Sequence, residues 1–188
     1  MPQDTDEILV AAKGNIYIAP VGTSLPATEV ATLNGSFIDL GYTTEEGTSL
    51  TYGQTTEDIG AWQSPDPVRR IRTGTSMTVT FNLLQFNRPS FSLAFGGGTW
   101  SNAGSSYRYD PPDSDDALSE YALIVDWQDG TKASRLVVER ATVSEDVQTT
   151  LVRTAAAVLP ISMKALKPDS GNSSWYHVSG DTEYATAS

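Results

Sequence analysis

The sequence predicts a mainly β, antiparallel domain with one short α-helix. Several segments alternate apolar with polar or small residues, which is the two-residue period of half-buried strands. An Asp129-Gly130 pair between two of these segments suits a tight hairpin turn, because glycine readily adopts positive φ. One segment, residues 87–96, breaks the alternation and carries helix-start and helix-stop residues. At 188 residues the chain is long enough for one well-filled domain.

The strands are expected in a simple order along the chain. Alternation predicts strands at residues 14–20, 36–43, 48–55, 75–86, 123–127, 134–143 and, as one long strand or two short ones, 148–166. The clearest is 75–86, in which Met77, Val79, Phe81 and Leu83 point one way and Thr78, Thr80 and Asn82 point the other way. We expect the first set to fill a core and the second set to face water.

The helix is predicted over about residues 87–96. Asn87 can cap it, Pro89 is tolerated in its first turn, and the glycines at 96–98 end it. Phe91 and Phe95 are four residues apart, so they are expected to share one buried face against a sheet.

Arms and loops are expected around a β-domain at residues 13–167. Residues 55–74 have two prolines, weak alternation and dense charge, which predicts a long loop between two strands. Residues 96–120 predict a polar connector, residues 1–12 an N-terminal arm and residues 168–188 a flexible C-terminal tail. Because the arms and the long loop lack apolar periodicity, we expect them to be mobile in the monomer.

Composition excludes several classes of function. The net charge of −11 disfavours a nucleic-acid-binding protein, because binding phosphates requires clustered Lys and Arg. The absence of cysteine excludes disulfides, thiol catalysis and cysteine-bound zinc. The acidic start of the chain is unlike a signal peptide, and no apolar run approaches the roughly 20 residues of a membrane span. We therefore expect a soluble protein made in the cytoplasm.

The sequence carries no catalytic pattern, and we expect neither an enzyme nor a cofactor. His177 is the only histidine, so one chain cannot form a Ser-His-Asp triad or a histidine-based metal site. The acidic run at residues 110–116 lacks the glycine and the distal glutamate of an EF-hand, and a solvated loop is the favoured interpretation. Neighbouring acids on a strand point to opposite faces, so they do not form a glycosidase pair.

The remaining features are typical of a protein that assembles. Residues 1–66 carry a net charge of −9, whereas Arg69, Arg70 and Arg72 place three cations within four residues. Such asymmetry suggests contact between unlike surfaces. Trp62 and Trp100 lie in polar segments, where a large ring more often marks a contact surface, whereas Trp127 is expected in the core.

The order of segments resembles the major tail tube proteins of long, flexible-tailed bacteriophages, especially those infecting actinobacteria. The resemblance rests on GNIYIAPVGTSLP, then FIDLGYTTEEGTSLTYGQTTEDIGAWQSPDPVRRI, then MTVTFNLLQFNRPSFSLAFGGG, and it covers about residues 13–98 well and 120–166 more loosely. It implies an antiparallel β-sandwich or partly open barrel of two packed sheets with one flanking helix. It also implies a structural virion protein whose rings, of six copies each, stack into a hollow tube that conducts viral DNA.

The resemblance gives the exposed residues an expected role. Contacts between subunits or rings are expected where arginines meet carboxylates, since the arginine fork can hold a carboxylate with two hydrogen bonds. The contact candidates are Glu45, Glu46, Glu57, Asp58, Trp62, Arg69, Arg70 and Arg72, and the candidates for the lumen wall are Thr78, Thr80 and Asn82. A basic turn that offsets acids of its own chain remains an alternative for the arginines.

Partners and location also follow from the resemblance. It implies contacts with other copies of the chain, with a tape measure protein and with tail terminator and distal tail proteins. Passing DNA would not be bound specifically, no membrane is involved, and assembly in the host cytoplasm would place the protein in the virion tail. Two other functions remain open, an extracellular carbohydrate-binding β-sandwich and a tail-associated hydrolase.

Overall fold

The structure is a computed structural model that describes residues 8–185, except for the side chains at 103, 183 and 185. The described residues form ten strands and one α-helix. They are β1 (Lys13–Pro20), β2 (Ile38–Asp39), β3 (Thr43–Ala61), β4 (Ser64–Leu83), α1 (Arg88–Ala94), β5 (Thr99–Ala103), β6 (Ser106–Asp110), β7 (Glu120–Asp129), β8 (Lys132–Val143), β9 (Leu159–Ala165) and β10 (Trp175–Ser179), followed by a 3-10 turn at Thr182–Ala185.

Eight strands form one antiparallel sheet, and β5 and β6 form a separate hairpin. The main sheet has the order β2-β1-β7-β8-β9-β4-β3, and β10 also pairs with β8. One edge of β8 is therefore shared, because Ser134–Val138 pairs with β10 whereas Ala141–Val143 pairs with β9. This division of β8 lets the two halves of the sheet pack against each other. The result is mainly β and consistent with the predicted sandwich, and the sheet does not close within the described residues.

The core lies between these two halves. It is built from β1, β7 and β8 on one side and β4 and β9 on the other, with α1 at its margin, and its buried residues include Ile16, Ile18, Leu123, Val125, Leu136, Val138, Phe81, Ile161 and Leu93. The alternation predicted for β4 is confirmed, since Met77, Val79, Phe81 and Leu83 are at most 4% exposed. Thr78, Thr80 and Asn82 lie on the opposite, half-exposed face.

The helix is confirmed, but its buried face differs from the prediction. Asn87 caps α1: its Oδ1 accepts from the Ser90 amide at 2.9 Å, and its own amide donates to Ser90 Oγ at 3.0 Å. Leu93 and Ala94 face the core, whereas Phe95 is 41% exposed. Phe91 and Phe95 touch each other and pack on Tyr109 of the two-stranded β5–β6 sheet, but the prediction that they share a buried face was wrong for Phe95.

Four segments are either more or less structured than their local pattern predicts. Residues 96–120, predicted as a polar connector, contain the β5–β6 hairpin. The tail, predicted as flexible, contains β10, which pairs with residues of β8 that lie more than thirty positions earlier in the sequence. In the other direction, the strand at 36–43 is reduced to Ile38–Asp39, and that at 148–166 begins only at Leu159. Of the N-terminal arm, residues 1–7 lie outside the described residues, as do 186–188 of the tail; Val10 donates its amide to Asp129 Oδ2 at 2.8 Å.

The prediction of a long loop at residues 55–74 was wrong. These residues extend β3 and β4 into one hairpin, paired from Thr43 and Leu83 to Ala61 and Ser64. Backbone hydrogen bonds hold the two strands together beyond the core, so the strands need no apolar alternation there. Both prolines, Pro65 and Pro67, lie close to the turn, where the pairing is irregular and an amide donor is not required.

A buried arginine fastens the segment between β1 and β2 to the outer face of the sheet. Arg135, on β8, is 4% exposed and holds Asp126 of β7 with two hydrogen bonds of 2.6 and 2.7 Å. Its remaining terminal nitrogen donates to the carbonyls of Thr28 and Ala31 at 2.9 and 3.0 Å. The hydrogen bonds with Asp126 raise the pKa of Arg135 further above its ordinary value.

Candidate functional site

The outer part of the β3–β4 hairpin extends into solvent. None of the residues 56–73 is buried, and Trp62 in the turn is 100% exposed. β3 also ends the sheet order, so its outer edge carries no strand partner among the described residues. An unpaired edge of this length presents a row of backbone donors and acceptors to another chain.

A bulge near the middle of the hairpin determines which side chains share a face. Thr55 pairs with Gly74 and Thr56 with Arg72, so Thr73 is the extra residue. Beyond the bulge Arg72 and Arg70 share one face, and Arg69 lies on the other, as simple alternation predicts.

Two of the predicted contact residues bind each other within one chain. Arg70 lies directly across the hairpin from Asp58, and its Nε and Nη2 donate to the two carboxylate oxygens at 2.6 and 2.9 Å. The hydrogen bonds from Arg70 lower the pKa of Asp58. Within one chain Asp58 and Arg70 therefore satisfy each other, as the within-chain alternative expects, and their contact with another subunit stays a prediction.

The other charged candidates are not brought together. Glu46 accepts a hydrogen bond from Asn82 Nδ2 at 3.0 Å, and Glu57 is exposed across the hairpin from Ile71. Arg69 and Arg72 form no ion pair with any described residue. These two arginines remain available to a partner.

A groove lies where the sheet fails to close. It has a volume of about 450 Å³; one wall is formed by residues 9–16 and the other by residues 43–50 of β3. Glu45 stands in the second wall and Trp127 lies between the walls. The indole N–H of Trp127 and the hydroxyl of Thr44 are both buried without a hydrogen-bond partner among the described residues. Trp127 also packs on the core, as predicted. Its ring stacks on that of His177, with the ring centroids 5.2 Å apart. Burial lowers the pKa of His177.

The outer face of β3, β4 and β9 carries a row of hydroxyl groups. Thr78 lies opposite Thr51, and Thr80 lies between Ser49 on β3 and Ser162 on β9, where Ser162 is buried. We call the four accessible residues Ser49, Thr51, Thr78 and Thr80 the hydroxyl face. Asn82 continues the row and Lys164 lies beside Thr78, so the two predicted threonines stand in a nearly uncharged polar surface.

Comparison with known proteins decides the class of molecule. The family model described as phage tail tube protein matches residues 1–188, the whole chain. This chain belongs to the phage tail tube protein family. No curated protein compared with it gives a match.

The family makes this tail tube protein a structural component of the phage tail that assembles with itself into a tube, and it points to a non-enzymatic protein. No group of three or more His, Asp or Glu side chains that could hold a metal ion occurs in the described part of the chain. Among the residues 8–185, no helix has the length and apolar character needed to span a bilayer.

The two tryptophans that lie in polar segments of this tail tube protein differ in exposure. Trp62 is exposed, but Trp100 lies in a cluster with Phe91 and Tyr109 and donates its indole N–H to Ser92 Oγ at 2.8 Å. Its ring therefore holds the β5–β6 hairpin to α1, and the interpretation of Trp100 as a contact surface was wrong. The groove was missed altogether, because its walls come from segments with no shared local pattern.

Proposed function

We propose that this tail tube protein closes into rings of six copies, and that the rings stack into a hollow tube that conducts viral DNA. The observation that carries the proposal is the β3–β4 hairpin, whose strands of 19 and 20 residues extend well beyond the core. It presents an unpaired strand edge and a fully exposed tryptophan. In a monomer, an unpaired strand edge and an exposed tryptophan both promote uncontrolled association. When a second copy covers them, the edge is paired and the ring is buried.

The lumen wall in this proposal is the hydroxyl face, with Asn82. These groups are small and nearly uncharged, and six copies of a chain with net charge −11 give the ring an acidic field. Such a wall does not hold duplex DNA, because binding a polyanion requires cations that displace its counterions. We therefore propose that DNA passes without being bound specifically.

The tube would require further partners at its ends and inside it. We propose a tape measure protein within the growing tube and tail terminator and distal tail proteins at its ends. Assembly takes place in the host cytoplasm in this proposal, before the tail joins the virion. The contact residues remain Trp62, Arg69 and Arg72 from the hairpin and Glu45, Glu46 and Glu57 from a neighbouring copy.

Electron microscopy of the purified protein tests the function directly. At high concentration we expect hollow tubes built of stacked rings with six-fold symmetry, and a lower concentration of protein should give rings or monomers. Monomers at every concentration that bind a polysaccharide column would contradict the proposal and favour a carbohydrate-binding module.

A charge placed on the lumen wall tests the passage of DNA. The double variant Thr78→Lys, Thr80→Lys assembled with short duplex DNA should retain DNA that is protected from nuclease and released by salt, because twelve new cations line each ring. The control, Thr99→Lys with Ser101→Lys, adds the same charge to exposed positions of β5, and its tubes should leave any bound DNA open to nuclease. Equal protection by both variants, or by neither, would remove the hydroxyl face from the lumen.

A further inference from the structure

We propose that the tip of the β3–β4 hairpin of one copy docks into the groove beside Trp127 of another copy. The inference rests on the proposed function and adds the surface that receives the hairpin. Trp62 and its neighbours in the turn are the part that inserts. The groove walls at residues 9–16 and 43–50 are the part that receives them.

The tip has the composition of an inserted anchor. Trp62 is 100% exposed, and Ile59 and Val68 close behind it are 42% and 57% exposed. Large rings that are buried at the centre of an interface carry a large share of binding energy in protein complexes. Within one chain Trp62 is covered by nothing, and Ile59 and Val68 are covered only in part.

The groove is partly apolar, and two of its lining residues have hydrogen-bonding groups without a partner among the described residues. Leu9, Ala11 and Leu50 form apolar parts of its walls. Trp127 and Thr44 both line the groove, and their N–H and hydroxyl groups are covered by the chain itself without partners among the described residues, whereas buried polar groups of this kind are normally paired. The backbone carbonyls of an inserted turn supply acceptors for both groups once the side chains adjust. A purely apolar occupant would leave them unpaired.

Charge also favours this groove over two other depressions on the described surface, because the charged residues that line those are cations only, whereas the groove wall holds Glu45 as well as Lys13. Glu45 stands in the groove wall and forms no ion pair with any described residue, and Arg69 on the hairpin is equally without one. Arg69 pairs across the hairpin with Ile59, three residues before Trp62, so it lies about 10 Å behind the tip. The second depression, between α1 and the β5–β6 hairpin, presents the cation Arg88 and would repel the same arginines.

The contact can form only between copies. Leu50 lines the groove and Trp62 lies twelve residues further along the hairpin, which is about 40 Å at 3.4 Å per residue. A chain cannot reach its own groove with its own tip. Because the tip and the groove are different surfaces, each docked copy still offers one free tip and one free groove, so the contact repeats in a ring or a filament.

Cysteine cross-linking tests the docking, and the natural chain has no cysteine to interfere. The double variant Gln63→Cys, Ala12→Cys places one thiol in the hairpin turn and one on the groove wall, and both positions are exposed in the free chain. Mild oxidation at assembly concentration should give a ladder of linked oligomers in a denaturing gel. The matched control, Gln63→Cys with Tyr107→Cys, targets the depression beside Arg88 and should give no ladder.

A charge swap gives a second readout that does not depend on cysteine. Glu45→Arg and Arg69→Glu should each raise the protein concentration needed for assembly, by about tenfold if the pair is largely desolvated, and the double variant should recover most of that loss. Double-variant assembly no better than that of either single variant would contradict the pairing.

The outcomes separate the two proposals. Tubes without a cross-linked ladder would overturn the docking and leave the tube function standing. A ladder without visible tubes would support the docking and count against the proposed tube. If the Tyr107 control gives a ladder and the Ala12 variant gives none, the tip docks into the depression beside Arg88, and the inference is overturned.

Discussion

Replacing residues 56–73 by an Asn-Gly turn should leave the β-sandwich folded and abolish tube growth. None of the removed residues is buried, so the core loses no apolar contact. Thr55 and Gly74 pair directly across the hairpin, and a two-residue Asn-Gly turn can close such a pair. The shortened chain lacks Trp62 and the three clustered arginines together. Under both proposals it loses its strongest link to neighbouring copies.

Folding and assembly are measured separately in this experiment. Circular dichroism and urea unfolding should give a midpoint close to that of the natural chain, whereas sedimentation should show only small species. A control replaces residues 113–118, which are equally exposed, by glycine and serine, and it should fold and assemble normally. Normal tubes from the shortened chain would show that the hairpin is dispensable, and an unfolded chain would show that the hairpin belongs to the stable core of the fold.

Replacing Arg135 by Met should lower the free energy of unfolding by about 3–5 kcal/mol, the usual effect of removing one partner of a buried ion pair. Arg135 is 4% exposed and makes four hydrogen bonds. Its loss leaves the carboxylate of Asp126 without compensation and frees the carbonyls of Thr28 and Ala31. The segment between β1 and β2 then loses its strongest attachment to the sheet.

Urea unfolding at pH 7 measures the change. Arg108→Met is the matched control, because Arg108 pairs with Asp110 in an exposed position, 74% and 41% accessible, and such surface changes alter stability by only about 0.5 kcal/mol. Adding Asp126→Leu to Arg135→Met should restore part of the loss, since the uncompensated charge is then gone. A loss below about 1 kcal/mol in the single variant would show that water reaches this pair and screens it.

The elements predicted correctly from sequence are those whose local pattern reports burial or a fixed backbone conformation. In β4 one face enters the core, and the alternation of Met77, Val79, Phe81 and Leu83 records that fact. Asn87 caps α1 through its own side chain, and Gly130 has the positive φ of 57° that its turn needs. Each of these signals arises within a few residues of the feature that it predicts.

The elements that were missed depend on contacts that no local pattern contains. The outer part of the β3–β4 hairpin is held by backbone hydrogen bonds in water, so alternation, which reports burial, is weak there. β10 is only five residues long and is fixed by its pairing with β8. Arg70 and Asp58 were both recognised as candidates, but only the register across the hairpin shows that they meet. The groove combines three distant segments and therefore has no sequence signature.

The continuity of β4 has a mechanical consequence for a stacked tube. The strand runs without a break from Ser64 near the tip to Leu83, and its inner part is paired on both sides, with β3 and with β9. A pull on the tip acts along β3 and β4 together, so the load passes to the hydrogen bonds between β4 and β9, which lie across the strands and are loaded together in shear. Several inter-strand hydrogen bonds must then break at the same time. When a strand is instead pulled away from its neighbour at one end, the bonds break one after another. Each subunit thereby resists tension through its backbone ladder, and a stretched tail is expected to part at the contacts between copies before any subunit unravels.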